Sequence, residues 1–426
     1  METGQRYTLE PRHNLPMRWP VVGLLSLGMI IAYFDRVNLT VALPSMASGF
    51  GLDKAQQGLA LSAIFWAYTA LQIPCGALVD RYGVRVPYLI GFLIWSLASA
   101  GTALTSGLAG LIAIRLLVGT GEAVVAPASM RYISLHFAEK QRGLAVGLYL
   151  TGTKFGPALG LPLSAWLVSA MGWRWMFVLL GLACLVWLIP WLAWVKKDDP
   201  AALPRVSAPA AHQQRMSVRQ ILASPVMWGI ILGTYCYMYF VYYSMTWMPI
   251  YLKERHGMSI QQMGWYGGVS FAGMAAVAAL AGWAADGLIA RGWDAVNVRK
   301  AFTIAGFSAA ATTTLCAFVS STPLMLFFVI FSLCGLGLAT ANYWALTQTL
   351  IPGGSIAMVV GIQNTAANVA GIVAPWLTGW MIQRTGSFDA PIKTVGLWLV
   401  IGIASYVLLV RRKFAPAAGR RLEHTA

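Results

Sequence analysis

Apolar runs of about twenty residues recur along almost the whole of this 426-residue chain. A helix of that length spans the ~30 Å hydrocarbon core of a bilayer. Only 10% of the residues are charged, whereas soluble chains carry ~25%. The sequence therefore predicts an all-α integral membrane protein with twelve transmembrane helices. We place the spans near residues 19–46, 57–79, 86–105, 109–131, 143–168, 174–195, 224–252, 263–285, 299–320, 323–346, 355–383 and 392–410.

The net charge of +16 has an uneven distribution. Of the 30 basic residues, 21 lie in the two tails and in loops that alternate onto the same side as the tails, and six lie in loops on the other side. This asymmetry is the positive-inside pattern, which predicts that both termini are cytoplasmic in a multi-pass protein of the cell (inner) membrane. It accounts for the basic composition without nucleic acid as a partner. The lipid bilayer is the expected environment, and we expect a monomer.

The chain is expected to consist of two halves. The polar segment 196–220 is rich in Pro and Ala and predicts a cytoplasmic linker. It separates six-helix bundles at 19–195 and 221–411, and cytoplasmic tails take up 1–18 and 412–426. Residues 144–162 also match 358–376 weakly, which places Gly147 on Gly361 and Lys154 on Asn368. Two parallel repeats with a site between them at the bilayer midplane form a transporter architecture.

The segment GALVDRYGVR follows the second span, and Gly282, Asp286 and Gly292 form a weaker copy of it after the eighth. A glycine in this position permits close helix packing, and an aspartate pairs with a cation or caps a helix end. The segment resembles the signature between spans two and three of the major facilitator superfamily, although Val84 stands where a basic residue is common. The resemblance implies a gating role in alternating access for Gly76, Asp80, Arg81, Gly83 and Arg85.

Five charged residues lie well inside predicted spans, all of them in the first half: Asp35, Arg36, Arg115, Glu122 and Lys154. A charge at the bilayer centre costs at least ~2.5–3.5 kcal/mol, so such residues usually serve function. Three cations and two ionised acids leave a net charge of +1, which rises to +3 when both acids are protonated. A cavity with this balance attracts an anion, and attracts it more strongly when protons are bound.

The residue types suggest roles for these five side chains. The arginine fork matches a carboxylate, so Arg36 and Arg115 are expected to bind a substrate carboxylate, although Arg36 can instead form an internal pair with Asp35. Glu122 and, secondarily, Asp35 are candidates for carrying protons. The alternative for Glu122 is a permanent pair with Arg115 or Lys154. Arg115 and Glu122 are two helical turns apart, ~10 Å, which is too far for a direct pair.

Glycines accompany the charges on the fourth and fifth spans. Gly119 and Gly121 are expected to thin the fourth span and leave room for solute or water. Gly152 and Gly156 similarly suggest an open fifth span around Lys154. The lysine either binds a second substrate anion, as in a dicarboxylate or aldarate, or compensates Glu122 or Asp35.

Two further segments sharpen the resemblance: FDRVNLTVALP, beginning at residue 34, and RLLVGTGEAVVAPA, beginning at residue 115. They are similar to segments of the anion:cation symporter family, which includes proton-coupled galactonate, hexuronate and glucarate permeases. The resemblance covers nearly the whole chain. It implies that Arg36 contacts the substrate carboxylate and that Asp35 and Glu122 carry protons. Lys154 departs from the family pattern, in which a small or polar residue is usual.

A sugar acid also needs hydrogen bonds to its hydroxyl groups. Candidates in the second half are Asn364 and Asn368, which share one face of the eleventh span; Asn342, Tyr343 and Gln363 are further possibilities. Tyr33 and Tyr68 can offer phenol groups to the same cavity. The alternatives are amide contacts that join helices, and ring packing.

The sequence leaves the cargo open. Several tyrosines between Tyr235 and Tyr243 suit an aromatic, phthalate-like acid, and a glycine pattern from Gly147 to Gly160 faintly resembles that of proton-coupled exporters. A transporter-like nutrient sensor is the third alternative. No metalloprotease, serine-hydrolase or Walker motif occurs in the sequence, so we expect no enzyme activity, cofactor or metal. The expected coupling ion is H⁺, and the expected cargo is a small organic anion.

Overall fold

The computed structural model describes residues 17–196, 217–351 and 355–411, and all regular elements in these ranges are helical. The predicted tails and most of the predicted linker lie outside them. The helices are α1 (Arg18–Phe50), α2 (Lys54–Tyr82), α3 (Arg85–Gly101), α4 (Leu108–Glu122), α5 (Val125–His136), α6 (Glu139–Ala183), α7 (Leu188–Trp194), α8 (Val218–Leu222), α9 (Pro225–Thr246), α10 (Met248–His256), α11 (Ile260–Ala290), α12 (Ala295–Ala311), α13 (Thr322–Leu350), α14 (Ile356–Thr385) and α15 (Asp389–Leu408). Short 3₁₀ turns at Thr102–Leu104, Cys184–Trp187 and Thr312–Ala317 extend α3, α6 and α12.

Local sequence signals set several of the helix ends. Asp53 begins α2 with a capping box, in which its carboxylate accepts from the Gln56 backbone N–H at 2.8 Å and the Gln56 side chain accepts in return. Ser259 and Gln262 begin α11 in the same way. Within α6, Gly172 has φ +82°, a conformation that favours glycine, and it marks the turn between the predicted fifth and sixth spans.

By length and composition, eight helical stretches of the described residues are long and apolar enough to cross a membrane. One of them, residues 141–194, contains two predicted spans on either side of Gly172. The other three predicted spans correspond to α9, α12 and α14, which are not among the eight. Amide side chains interrupt the apolar sequence of α14, α9 contains several tyrosines, and α12 contains Arg299 and Lys300. The all-α membrane architecture is confirmed.

Helices α1–α7 and α9–α15 form two groups that meet along a seam. The seam is lined by α1, α2 and α6 on one side and by α9, α11 and α14 on the other, and α2 packs on α14 while α6 packs on α11. We call the face that holds the start of α1 and the end of α15 the terminal face, and the opposite one the far face. Small residues allow close contact toward the far face: a Cβ on Gly58 would lie 2.6 Å from the Pro375 carbonyl oxygen, and one on Gly268 2.7 Å from the Ala158 carbonyl oxygen.

The same helices diverge toward the terminal face. A Cβ on Gly76 of α2, Gly147 of α6 or Gly361 of α14 would meet no atom within 4 Å. The expectation that Gly76 permits close helix packing is therefore wrong for this conformation, because the face of α2 that carries Gly76 meets no neighbouring helix. The two halves are closed at the far face and separated at the terminal face.

Candidate substrate and proton site

Arg36 and Glu122 form the central ion pair of the molecule. Arg36 lies near the middle of α1 and Glu122 at the end of α4, and both side chains are buried. The Arg36 Nε and a terminal guanidinium nitrogen both donate to Glu122 Oε2, at 3.0 and 2.9 Å. The sequence offered Asp35 as an internal partner for Arg36, and Arg115 or Lys154 for Glu122. The structure instead pairs Arg36 with Glu122, because residues 35 and 36 point ~100° apart on the helix and meet different neighbours.

Asp35 faces α3. Its carboxylate accepts hydrogen bonds from the Trp95 indole, from the Ser99 hydroxyl at 3.0 Å and from the Asn38 amide at 2.8 Å. Ser164 of α6 then donates to the side-chain oxygen Oδ1 of Asn38 at 2.8 Å. Both Asp35 oxygens thus have donors, and these contacts hold α1, α3 and α6 together. The sequence reasoning missed Trp95 and Ser99, whose polar atoms on an otherwise apolar span are the only local signal.

Arg115 is buried next to Asp35, with 2% of its surface exposed. One of its terminal nitrogens lies 3.5 Å from the Asp35 backbone oxygen, a long contact. Arg115 Nε and Glu122 Oε1 have no hydrogen-bond partner among the described residues. A buried polar atom without a partner is costly, so such atoms in a native site call for a ligand, ion or water. Among the described residues, the cluster therefore presents a buried donor and a buried acceptor that no protein group uses.

The glycines near the cluster have a different role from the one expected. A Cβ on Gly119 would lie 2.2 Å from the Ile64 carbonyl oxygen, and one on Gly121 2.5 Å from that of Gly91. A Cβ on Gly156 would lie 2.4 Å from the Cβ of Tyr33. The expectation that these glycines leave room for solute is wrong, because neighbouring helices fill the space. The glycines instead bring α4 against α2 and α3, and α6 against α1, which sets the positions of the charges.

Aromatic rings cover Arg36 on the side of the seam. Its guanidinium carbon lies 4.5 Å from the Tyr33 ring centroid, 4.8 Å from that of Tyr68 and 5.4 Å from that of Phe65. The Phe65 ring packs edge-on against Tyr242 of the second half, at 4.6 Å. Tyr33 and Tyr68 are half-buried, whereas Arg36 is buried. The predicted tyrosines thus lie between the charged cluster and the seam.

A chain of amides joins the two halves next to Tyr68. Gln72 of α2 donates to the Tyr68 hydroxyl at 3.0 Å, and its carbonyl oxygen accepts from Asn364 at 2.9 Å and from Asn368 at 3.2 Å. Asn364 and Asn368 share a face, as predicted, and that face meets the first half. Gln72 was missed, although a glutamine within an apolar span was a readable signal. Gln363 donates to Thr234 within its own half.

Lys154 approaches the seam from α6. Its ammonium lies 3.5 Å from the Tyr237 hydroxyl and 5.7 Å from that ring centroid. The Tyr237 hydroxyl also bonds the Thr340 hydroxyl at 2.8 Å, and the ring packs on Tyr343 at 4.6 Å. Lys154 is half-buried and takes part in none of the four ion pairs found among the described residues.

The predicted gating segment lies at the terminal face. Asp80 pairs with Arg131 of α5, so the expected cation partner is present. Arg85 donates to the Leu192 carbonyl oxygen at 2.9 Å, and the Arg81 guanidinium lies 5.2 Å from the Tyr82 ring centroid. Gly83 ends α2 with φ +78°. These described contacts remain within the first half, so in this conformation they do not join the halves.

Contacts at the far face do join the halves, and the sequence did not indicate them. Lys54 of α2 bonds both carboxylate oxygens of Glu254 in α10, at 2.5 Å. The Lys54 backbone N–H also donates to the Gln383 side chain of α14 at 3.0 Å. Together with the Gly58 contact on α14, these bonds close the far face.

The arrangement consists of two helical bundles with polar and charged side chains buried where they meet, closed on one face and separated on the other. These features define a membrane transporter rather than an enzyme.

Comparison with known proteins supports this class. The model of the Major Facilitator Superfamily matches residues 25–375, and the chain belongs to that superfamily. The D-galactonate transporter of Escherichia coli O6:H1 is 29% identical over 92% of this chain and 95% of its own. The probable galactarate/D-glucarate transporter GudP of Bacillus subtilis is 29% identical over 92% of both chains. The hexuronate transporter of Bacillus subtilis is 27% identical over 95% of this chain and 97% of its own.

A solved structure shows the same fold. It is a bacterial homolog of the human lysosomal transporter Spinster, described as inward-facing and occupied. The two chains are 21% identical and superpose with a TM-score of 0.76 over 94% of this chain and 99% of the other.

Proposed function

We propose that this chain carries a small organic anion, a sugar acid, across the cell (inner) membrane by proton symport and alternating access. The observation that carries the proposal is the buried Arg36–Glu122 pair beside the seam. In this pair, the proposed substrate-binding group and the proposed proton carrier are joined by two hydrogen bonds. The bias of 21 basic residues on one side against six on the other favours a cytoplasmic position for both termini, and the proposal therefore takes the terminal face as the cytoplasmic one.

Competition for Arg36 couples the proton to the anion. While Glu122 is ionised, it occupies Arg36 through Oε2. A proton on Glu122 removes the charge attraction and frees the guanidinium fork, which then binds the substrate carboxylate. The unused Arg115 Nε supplies a further donor to the anion. Substrate and proton therefore bind together, which is the requirement for symport.

The polar groups at the seam suit a hydroxylated cargo. Tyr68, Gln72, Asn364 and Asn368 offer phenol and amide groups from both halves. A cargo that bonds to both sides ties the movement of the halves to occupancy. The similarity to galactonate, galactarate/glucarate and hexuronate transporters agrees with a sugar acid.

The test is uptake into proteoliposomes with an imposed pH gradient, screened over aldonates, uronates, aldarates, tartrate and aromatic acids. Purified protein should also bind the transported acid about tenfold more weakly for each pH unit above the point at which Glu122 loses its proton, since one proton is linked to binding. In Glu122→Gln this pH dependence should vanish. Gradient-driven uptake should be lost in that variant while exchange or binding remains.

Arg36→Ala should abolish binding. Arg174→Gln, which removes a charge stacked on Trp173 away from the cluster, serves as the matched control and should bind normally. Full gradient-driven accumulation by Glu122→Gln, or unchanged affinity in Arg36→Ala, would contradict the coupling scheme. Uptake of an aromatic acid alone would contradict the sugar-acid assignment but leave the coupling scheme in place.

A further inference from the structure

Lys154 is positively charged, and neither buried acid pairs with it. Glu122 is paired with Arg36, and Asp35 is bonded by Trp95, Ser99 and Asn38. The nearest polar partner of Lys154 is a neutral phenol, Tyr237. A half-buried ammonium whose neighbour is neutral retains most of its capacity to attract an anion.

The groups around Lys154 are fixed in place. Tyr237 is buried, its hydroxyl is held by Thr340, and its ring packs on Tyr343. Both partners lie on α13 in the second half, whereas Lys154 belongs to α6 in the first. An anion on the ammonium would therefore contact hydroxyl donors from the opposite half of the molecule.

This second cation lies at the same seam as Arg36. Lys154 contacts Tyr237 of α9, and the Phe65 ring that covers Arg36 packs on Tyr242 of the same helix. Five residues separate the two tyrosines, a rise of ~7.5 Å along α9. The two cationic positions thus meet one helix of the second half, about one and a half turns apart.

We propose that Lys154, Tyr237 and Thr340 form a second anion subsite, and that the preferred cargo is a sugar dicarboxylate, an aldarate. One carboxylate binds Arg36, and the other binds Lys154. The inference rests on the proposed function, whose site it extends.

The charge balance agrees with a dianion. Arg36, Arg115 and Lys154 against Asp35 and Glu122 leave a net charge of +1, and a proton on Glu122 raises it to +2. A dianion then neutralises the cluster, whereas a monoanion leaves one buried positive charge uncompensated. Uncompensated buried charge is unfavourable, so the singly protonated site favours a dicarboxylate over its monocarboxylate counterpart.

The experiment compares galactarate with D-galactonate, which differ in having a carboxylate or a hydroxymethyl group at one end. Binding to the purified full chain is measured by titration calorimetry at fixed pH. Wild type should bind galactarate more tightly. Lys154→Met should weaken galactarate binding by at least about tenfold, the effect of removing one partner of an ionic contact, and change D-galactonate binding by less than about threefold. Lys154→Arg keeps the charge and should keep the preference.

Lys393→Met is the matched control, because Lys393 of α15 lies over the Phe318 ring, away from the cluster. Thermal unfolding of each variant establishes that it is folded. If Lys154→Met weakened the binding of both acids equally, or weakened the binding of neither, the second subsite would be overturned. Binding of D-galactonate without galactarate by wild type would overturn it too, and leave the proposed function intact. If wild type bound no acid and showed no pH-driven uptake, the proposed function and the second subsite would both fail.

Discussion

Gly58 lies at the closest approach of the two halves, and adding one methyl group there should open the far face. In Gly58→Ala the new Cβ would lie 2.6 Å from the Pro375 carbonyl oxygen and 3.1 Å from the Gly379 Cα. Both are backbone atoms of α14, so no side chain can rotate away. The methyl fits only if α2 and α14 separate, which is the movement that alternating access requires at this end.

The magnitude follows from the geometry. Overpacking of one methyl group against fixed atoms costs about 1–3 kcal/mol. The cost falls on the conformation described here and is absent once the far face opens. The gain in helix propensity from Gly to Ala, ~1 kcal/mol, applies in both conformations and cancels. The equilibrium should therefore shift toward far-face opening by roughly 5- to 150-fold.

The assay is double electron–electron resonance between spin labels on the far face, at Ser48→Cys in α1 and Gln261→Cys in α11. Both positions are exposed and lie in opposite halves, in a background with the five native cysteines replaced. Gly58→Ala should populate longer distances. Gly49→Ala is the control, because a Cβ there would meet no atom within 4 Å, and its distance distribution should match the parent.

A second variant makes the reasoning independent of one position. In Gly379→Ala the Cβ would lie 2.3 Å from the Lys54 carbonyl oxygen, so it should shift the distances in the same direction. Unchanged distributions in both Gly58→Ala and Gly379→Ala would refute the idea that glycine contact sets this equilibrium.

Three further predictions concern named contacts. Lys54→Met should favour far-face opening by less than about sixfold, since the Lys54–Glu254 side chains are 26% and 30% exposed and such pairs contribute ~0.2–1 kcal/mol. Lys54→Glu adds repulsion from Glu254 and should favour opening more, and the swap of Lys54→Glu with Glu254→Lys should restore the distances between the same labels. Arg36→Ala leaves the buried Glu122 carboxylate without its cation and should lower the free energy of unfolding by about 3–5 kcal/mol. Adding Glu122→Gln should recover part of that loss, which thermal unfolding in detergent measures. Gly121→Ala, whose Cβ would lie 2.5 Å from a backbone oxygen of α3, should lose about 1–3 kcal/mol in the same assay.

The membrane architecture could be predicted from the sequence because the length of an apolar run and the placement of charges depend only on nearby residues. Twenty-residue apolar runs define spans whatever their partners, and the fold class and superfamily were confirmed. The five intramembrane charges were identified for the same reason, since burying a charge in hydrocarbon is costly wherever it lies. The face shared by Asn364 and Asn368 follows from helical spacing alone.

Which charge meets which was beyond the reach of the sequence. Asp35 and Arg36 are adjacent in sequence but point to different helices, and only the packing of α3 and α4 around α1 assigns Trp95 to one and Glu122 to the other. The glycines at 119, 121 and 156 are compatible either with open space beside a helix or with close contact between helices, and the sequence does not distinguish the two.

The sequence by itself determined that the chain is an all-α membrane protein and which charges lie inside its spans. The tertiary structure alone decided the Arg36–Glu122 pair, the Gln72 bridge, the position of Lys154 at the seam and the closed far face. The physical reason is the distance along the chain over which each property is set. Burial and helical periodicity depend on neighbours a few residues away, whereas pairing depends on the angle and distance between helices that are far apart in the chain.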